Sequence, residues 1–216
     1  MTDARPIQID IVSDVMCPWC IIGYRQLERA LGQTGLGALV RWHPFELNPD
    51  MPPEGEPIGV HIARKYGSSP EQMAQNHAQI KALGQSLGIT FNTDADSRIV
   101  NSFLAHQLLD FALALGKQHP LKLALFEPHF TDLRDVSDMA VLSDIAASVG
   151  IDRADADKVL TSGALAATVR DKQSFWTSRG ISGVLSMVFG GKYLVTGAQG
   201  AGSYAGLLTR AASEAA

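Results

Sequence analysis

Near its amino terminus the chain reads Ile7-Gln8-Ile9-Asp10-Ile11-Val12-Ser13-Asp14-Val15-Met16-Cys17-Pro18-Trp19-Cys20. The β-branched run over residues 7–12, with Ser13 and Asp14 after it, predicts a buried strand that ends in a turn. Beyond Cys17, apolar or aromatic side chains recur at the spacing of one helix face. These positions are Cys20, Tyr24, Leu27 and Leu31. The predicted order is therefore strand, turn, cysteine and helix.

Cys17 lies where the predicted helix begins, because Pro18 suits the first helical turn, in which its missing N–H would have no partner. Unpaired N–H groups and the positive end of the helix dipole stabilise a thiolate over a thiol. A free cysteine has a pKa of about 8.5, whereas cysteines in this setting reach roughly 3.5 to 7.5. We therefore expect Cys17 to be a nucleophile, and the less exposed Cys20 to be the resolving thiol of a dithiol–disulfide cycle.

Two other interpretations of the cysteine pair stay open. A zinc site would need two more ligands, but the chain has no second cysteine pair, and its six histidines lack the spacing of paired ligands. A structural disulfide across one helical turn would close a very small loop and would constrain the unfolded chain little. The spacing favours redox chemistry over both.

The composition excludes several classes of protein. The chain has 216 residues, of which 46% are hydrophobic, and a net charge of -4. This acidic balance, without a run of Lys and Arg, predicts no nucleic-acid partner and no anionic membrane partner. The polar first residues do not resemble a secretory signal, and no apolar stretch reaches the ~18 residues of a membrane span. We expect a cytoplasmic protein.

The rest of the chain predicts an α/β plan, with βαβ at the start, a helical block and then ββα. Residues 38–42 read as a second strand, and a proline-punctuated loop follows. From about residue 58 to 179 every periodic segment is helical, including a long apolar helix that begins at Asp96 or Ser97. Residues 184–189 and 192–195 flank Gly190-Gly191, which predicts a tight hairpin. A final helix over about 203–215 completes the plan.

The chain resembles the DsbA family of thioredoxin-fold oxidoreductases, and its cytoplasmic FrnE-like branch in particular. The resemblance covers nearly the whole chain and rests on four sequence segments. They are Asp14-Val15-Met16-Cys17-Pro18-Trp19-Cys20, Pro44-Phe45-Glu46-Leu47-Asn48-Pro49, Gly180-Ile181-Ser182-Gly183-Val184 and Gly191-Lys192-Tyr193-Leu194-Val195-Thr196-Gly197-Ala198-Gln199. The resemblance implies a thioredoxin-like fold with a large all-helical insertion. The implied division is a thioredoxin-like half over residues 1–56, an insertion domain over 57–179 and the second thioredoxin-like half over 180–216.

One position departs from the family pattern. The family places a cis-proline after the valine-like residue that faces the cysteines, and Leu185 holds that place here. A cis bond before a non-proline residue costs ~2.5 to 4 kcal/mol, against ~0.5 to 1 kcal/mol before proline. We therefore expect a trans Val184–Leu185 bond, or a strained cis one. The resemblance implies that the backbone of Val184 pairs with a bound peptide. A trans bond would turn this backbone in a different direction and so change the contact with the substrate.

Further site candidates surround the cysteines, each with a structural alternative. Trp19 is either an aromatic surface for a substrate or a cover for the helix start. Asn101 and His106 lie on the long insertion helix, which borders the substrate groove in the family, although a histidine there is also typical of packing. Asp14 and Glu46 are either proton acceptors for Cys20 or solvated loop carboxylates.

The expected function is that of a thiol–disulfide oxidoreductase acting through a mixed disulfide on Cys17, without a cofactor. Its substrates would be proteins or small molecules with a disulfide or thiol, glutathione among them. One alternative is a glutathione-dependent isomerase or transferase of the same fold. Another is a catalytically impaired relative that binds a metal or a partner because Leu185 replaces proline, with an intermolecular four-thiolate site at Cys17 and Cys20. The oligomeric state stays open.

Overall fold

The computed structural model describes residues 6–215 and contains, within that range, six strands and nine helices. The strands are β1 (Ile7–Ser13), β2 (Ala38–Pro44), β3 (Glu56–Pro57), β4 (Arg98–Ile99), β5 (Ser186–Phe189) and β6 (Tyr193–Thr196). The helices are α1 (Pro18–Thr34), α2 (Ile58–Tyr66), α3 (Pro70–Ser86), α4 (Phe103–Ala114), α5 (Gln118–Phe130), α6 (Met139–Ser148), α7 (Arg153–Ser162), α8 (Ala166–Thr177) and α9 (Ala201–Ala215).

The main sheet has four strands in the order β2-β1-β5-β6. β1 pairs parallel with β2 and antiparallel with β5, and β5 forms the predicted hairpin with β6. Because β1 is an inner strand, its Ile9 and Ile11 are fully buried, as the β-branched run predicted. α1 packs against α9, and α9 contacts β1 and β5. The thioredoxin-like βαβ…ββα fold is confirmed.

The segment between β2 and β5 carries seven helices, α2 to α8, and so forms the predicted helical insertion. It also contains a short antiparallel ladder in which β3 pairs with β4, which the sequence analysis did not predict. Val15 and Met16, immediately before Cys17, pack into the insertion's own core with Leu108 and Leu121. The insertion is therefore anchored beside the cysteines. The domain boundaries at residues 56/57 and 179/180 stay a prediction.

The long insertion helix begins later than expected. It starts at Phe103, not at Asp96 or Ser97. The Asp94 carboxylate accepts the backbone N–H groups of Asp96 and Ser97, and residues 98–99 are then used in the ladder with β3. Because a short polar side chain satisfies these N–H groups locally, the backbone does not need a helix there. The prediction followed apolar periodicity and missed this competing turn.

Of the two conformations expected for the Val184–Leu185 peptide bond, trans is wrong and cis is found. The expectation of trans rested only on the intrinsic preference of an isolated non-proline peptide bond for the trans form. In the folded chain Leu185 is buried, and its carbonyl oxygen accepts the backbone N–H of Gly197 at 2.7 Å, so its position is determined by the surrounding core and by the chain beyond β6.

Candidate redox site

Cys17 is the N-cap residue of α1, with an extended backbone (φ -95°, ψ 114°) and Pro18 as the first helical residue. The N–H of Cys20 donates to the carbonyl oxygen of Cys17 at 3.0 Å, which closes the first turn and brings both side chains to the helix start. Both cysteines are free thiols. Cys17 is 3% exposed and Cys20 is 0% exposed, so the order of exposure predicted from the helix face is found, but both thiols are buried.

The pKa values of the two thiols are shifted in opposite directions. A hydrogen bond from the Cys20 thiol lowers the pKa of Cys17, against the opposing effects of burial and of the Asp14 charge. Burial first, and the neighbouring Cys17 sulfur second, raise the pKa of Cys20 well above its usual value. Cys17 is therefore the thiol of the pair that ionises more readily, and Cys20 is the one that holds its proton more tightly.

The opposite wall of the site comes from the chain segment just before β5. The Sγ atom of Cys17 lies 4.0 Å from the carbonyl oxygen of Val184. Leu185 lies behind Val184 in the core, where its Cδ2 atom closely approaches the backbone of Gly23 on α1. The Val184 backbone thus lies beside Cys17, and the displacement of this segment that a trans bond before Leu185 would cause is not found.

Asp14 and His106 form a buried pair behind the helix start. The Asp14 carboxylate accepts the N–H groups of Met16 at 3.2 Å and Leu47 at 2.7 Å, and its Oδ1 lies 3.5 Å from His106 Nε2. His106 Nε2 donates to the carbonyl oxygen of Phe45 at 3.0 Å. Burial acts to raise the pKa of Asp14, but the hydrogen bond and charge of His106 and the Leu47 N–H outweigh it, and the pKa is lowered. Asp14 is therefore a buried carboxylate, not a solvated one.

Three other predicted site residues lie in different surroundings. Trp19 is half-buried and packs against the core that contains both cysteines. Glu46 is turned to α8, where Arg170 and Gln173 donate to its Oε2, while its buried Oε1 has no hydrogen-bond partner among the described residues.

Asn101 lies before α4 and not on it. Its Nδ2 donates to the carbonyl oxygen of Met51 at 3.3 Å, and its Oδ1 accepts the N–H of Phe103 at 2.8 Å. The structure thus brings together Asp14, Cys17, Cys20 and Val184, with His106 behind Asp14. No described hydrogen bond connects Asn101 or Glu46 to this group.

Lys122 of α5 is a buried lysine that was not predicted from the sequence. Its side chain is 1% exposed, and its Nζ lies 5.4 Å from the ring centre of Trp42 and 5.2 Å from that of Phe126. Burial lowers the pKa of Lys122 to about 8, although the charges of Cys20, Asp14 and Cys17 act in the opposite direction. The signal in the sequence is a lysine between the apolar residues Leu121 and Leu125, on a helix face that the same periodicity marks as buried.

A polar network beside Lys122 joins β2, α5 and α1. Trp42 Nε1 donates to His119 Nδ1 at 3.0 Å, and His119 Nε2 lies 3.0 Å from the hydroxyl of Tyr24. Because indole N–H is only a donor, His119 Nδ1 is unprotonated and the ring is neutral, with Nε2–H donating to Tyr24. Burial lowers the pKa of His119, in agreement with this assignment.

Two features of the described part of the chain bear on metals and membranes, namely the grouping of possible metal ligands and the length and apolar character of the helices. Across residues 6–215 no three or more His, Cys, Asp or Glu side chains are grouped as metal ligands. A four-thiolate site shared between two chains stays a prediction. None of the helices in the same range has the length and apolar character required to cross a bilayer.

The sequence profile of the DSBA-like thioredoxin domain matches residues 8–208. The chain belongs to this family. A probable DsbA oxidoreductase from Streptomyces coelicolor superimposes with a TM-score of 0.89 at 30% identity, over 96% of this chain and 91% of that one. The uncharacterized protein YwbO of Bacillus subtilis is 27% identical over 148 residues, which are 68% of each chain. DsbA-family membership supports a general oxidoreductase or isomerase role.

A more distant DsbA-like structure shares the fold alone. The cytosolic disulfide reductase DsbM of Pseudomonas aeruginosa, solved with GSH, superimposes with a TM-score of 0.61 at 18% identity, over 96% of each chain. The FrnE-like branch within the family stays a prediction.

Proposed function

We propose that the protein is a thiol–disulfide oxidoreductase in which Cys17 attacks and Cys20 resolves. The observation that carries this proposal is the pair of free thiols at the start of α1, with Cys17 at the N-cap and 4.0 Å from the Val184 carbonyl oxygen. The helix N-terminus stabilises negative charge on Cys17, and the hydrogen bond from Cys20 adds to this stabilisation.

The reaction proceeds through two exchanges. The Cys17 thiolate attacks one sulfur of a substrate disulfide, so that a Cys17–substrate bond forms and the other substrate sulfur leaves as a thiolate. Cys20 then loses its proton and attacks Cys17 Sγ, which forms the Cys17–Cys20 disulfide and releases the second substrate sulfur. The substrate gains two electrons and the chain loses two. Running the steps in reverse oxidises a dithiol substrate.

The neighbours of Cys17 suggest how a substrate binds. The Val184 backbone is half-buried beside Cys17, and we propose that it pairs with an extended substrate segment in strand fashion. Trp19 and Leu185 would border this segment, Trp19 with its aromatic surface and Leu185 from the core side. For Asp14 and His106 we propose a positioning role, since the pair is buried and fixes residues 16 and 47 around the helix start.

Glu46 and Asn101 have a structural role in this proposal and take no part in the thiol–disulfide exchange. Both hold the loop between β2 and α2 against the insertion, Glu46 through Arg170 and Asn101 through Met51. A direct proton transfer between Glu46 and Cys20 is therefore not part of the proposed mechanism.

The proposed substrates are disulfide- or thiol-containing proteins and small molecules in the cytoplasm. Glutathione is a candidate small-molecule substrate, both because one structural relative of the same fold was solved with GSH and because Cys17 is nearly enclosed. Two glutathione molecules would also return the oxidised pair to the dithiol, since the first forms a mixed disulfide with one cysteine and the second attacks the glutathione sulfur of that bond and leaves as glutathione disulfide, so that the cycle needs no cofactor.

The test compares the two cysteine variants in insulin reduction and in exchange with hydroxyethyl disulfide. Cys17→Ser is expected to abolish both activities, and Cys20→Ser is expected to accumulate a mixed disulfide on Cys17 that mass spectrometry detects. Unchanged exchange by Cys17→Ser would overturn the proposal. Full turnover by Cys20→Ser would instead favour the glutathione-dependent isomerase or transferase, which needs a single nucleophile.

A further inference from the structure

A cavity of about 260 Å³ lies in the helical insertion, between the turn that precedes β4 and the turn that follows α5. None of its lining residues takes part in the proposed thiol–disulfide exchange. Three of them, Val100, His129 and Thr93, are buried, with 4%, 5% and 8% of their surface exposed, and we call these three the floor. Charged side chains of both signs line the rest of the cavity, which we call the rim.

The two polar side chains of the floor lack partners. Neither His129 nor Thr93 makes a side-chain hydrogen bond to any residue between 6 and 215, and neither is among the unpartnered polar atoms that are completely enclosed. Their polar atoms therefore have access to the cavity that they line. Burial lowers the pKa of His129 to about 4, so that at neutral pH its ring offers one N–H donor and one acceptor. Buried polar groups of this kind point to a polar occupant that pairs with them.

Two guanidinium groups stand at the rim. Arg98 donates through Nε to the carbonyl oxygen of Glu54 at 2.9 Å and through Nη2 to that of Gly55 at 2.9 Å. Arg134 donates through Nη2 to the carboxylate of Asp144 at 3.2 Å. Among the described residues these contacts leave Nη1 of both arginines without an acceptor. The rim therefore has N–H donors for an anionic group, on side chains that the protein already holds in place.

Two carboxylates stand at the same rim. Asp135 accepts the backbone N–H and the hydroxyl of Ser137 through Oδ1, at 2.8 and 2.6 Å, and its Oδ2 has no partner in the described part of the chain. The carboxylate of Asp96 makes no hydrogen bond to another described residue, although its backbone N–H is bound by Asp94. Because two positive and two negative side chains share the rim, it suits an occupant with both charges better than a simple anion or cation.

The backbone around the cavity is fixed by hydrogen bonds. On one side the carboxylate of Asp94 accepts the N–H and the hydroxyl of Ser97, both at 2.8 Å. On the other side the N–H of Arg134 donates to the carbonyl oxygen of Pro128 at 2.8 Å. Leu133 at this rim has a φ of 57° and is the single non-glycine residue with a positive φ within residues 6–215. It is 51% exposed, so burial of its side chain does not explain this conformation, which is typical of binding sites.

We propose that this cavity binds a short zwitterionic peptide. The carboxylate of the peptide lies on the two arginines of the rim, its ammonium group lies on the two aspartates, and a peptide group between them pairs with the floor. A neutral imidazole and a hydroxyl suit a peptide group, because together they supply a donor for its carbonyl oxygen and an acceptor for its N–H. The fixed walls reduce the entropic cost of binding. This site is separate from the cysteine pair and goes beyond the proposed function.

The first experiment uses three thiol-free probes that differ only at their ends. Triglycine carries both charges, N-acetyl-triglycine lacks the ammonium group, and triglycine amide lacks the carboxylate. Binding is measured by calorimetry and by saturation-transfer NMR on the full chain. Triglycine is expected to bind, and each capped form is expected to bind about ten-fold more weakly, because it loses one charge-assisted contact. Inorganic phosphate, a simple anion, is expected not to displace triglycine.

The second experiment locates the site with a matched pair of variants. Arg134→Met is expected to weaken triglycine binding about ten-fold. Arg153→Met is the control, because Arg153 also pairs with Asp144 but does not line the cavity, so its variant is expected to bind triglycine like the parent. At the floor, Thr93→Val removes the hydroxyl while keeping the shape of the side chain, and is expected to weaken binding about five-fold.

Three results would each overturn the proposal. They are no saturable binding of triglycine at millimolar concentration, equal binding of the capped and uncapped probes, and equal affinity in Arg134→Met and Arg153→Met. An unfolding curve is recorded for every variant, and the comparison of the three probes on the parent protein needs no variant at all. Because the probes carry no thiol, neither result depends on whether Cys17→Ser retains exchange activity, so this proposal and the proposed function fail separately.

Discussion

Cys17 and Val184 are 167 residues apart in the chain, yet the Sγ atom of Cys17 lies 4.0 Å from the carbonyl oxygen of Val184. The cysteine comes from the βαβ half of the fold and the carbonyl from the ββα half, so this contact forms only when β5 is paired with β1. The insertion between them contributes His106, whose Nε2 lies 3.5 Å from the carboxylate of Asp14 just before the cysteine.

Gly23 on α1 is expected to be intolerant of alanine, because an added Cβ would meet Leu185 Cδ2 and approach the Tyr204 hydroxyl at 3.4 Å. Leu185 is 1% exposed and cannot swing into solvent, so overpacking is expected to cost about 1 to 3 kcal/mol. The measurement is the free energy of unfolding in denaturant.

Gly32→Ala on the same helix is the matched control. A Cβ there meets nothing within 4 Å, and alanine is favoured over glycine in a helix by roughly 0.5 to 1 kcal/mol. We expect the control to be stabilised. Equal effects of the two substitutions would show that the Gly23–Leu185 contact is unimportant.

Asp14→Asn is expected to lower the pKa of Cys17 further, since the carboxylate charge of Asp14 acts to raise it. The thiolate would then form at lower pH and the alkylation profile of Cys17 would shift in the acid direction. The asparagine can replace only part of the hydrogen bonding to Met16 and Leu47, so a stability loss of about 1 to 3 kcal/mol is expected as well.

The control is Asp10→Asn on β1. Asp10 is paired with His43 and does not act on either thiol, so its substitution should leave the Cys17 profile in place. A rise of the Cys17 pKa in Asp14→Asn would contradict the prediction.

His129 is expected to make the protein sensitive to mild acid. Burial lowers its pKa from 6.5 to about 4, with the Asp14 and Asp135 charges opposing. A histidine whose pKa is lower in the folded state binds its proton more tightly when unfolded. Its contribution is therefore fully present above pH 6.5 and is lost as the pH falls to about 4.

The loss is on the order of 3 kcal/mol, from ~1.4 kcal/mol per unit of pKa. His129→Phe keeps an aromatic ring beside Phe130, whose centre lies 4.6 Å away, and removes the titrating group. The variant is expected to show a smaller fall in unfolding free energy than the parent over this pH range. An identical fall in both proteins would assign the acid sensitivity to other groups.

Much of the fold could be predicted because its signals are local. The β-branched run before Cys17, the helix-face spacing after it and the glycine pair in the hairpin each depend on a few neighbouring residues. The start of α4 was missed because Asp94 provides a competing local turn. The β3–β4 ladder joins two dipeptides 42 residues apart, as in the pairing of Glu56 with Ile99 and Pro57 with Arg98, and strands this short leave no periodicity to detect.

The sequence by itself determined that a cysteine stands at the start of a helix, because the cap position, the following proline and the cysteine spacing are properties of one short segment. Only the tertiary structure decided what surrounds that cysteine. Contacts between distant segments determine the conformation before Leu185, the burial of Lys122 and the ion pair between Glu46 and Arg170. The physical reason is that a thiol's pKa follows the charges and the solvent around it, and these are set by packing and not by neighbours along the chain.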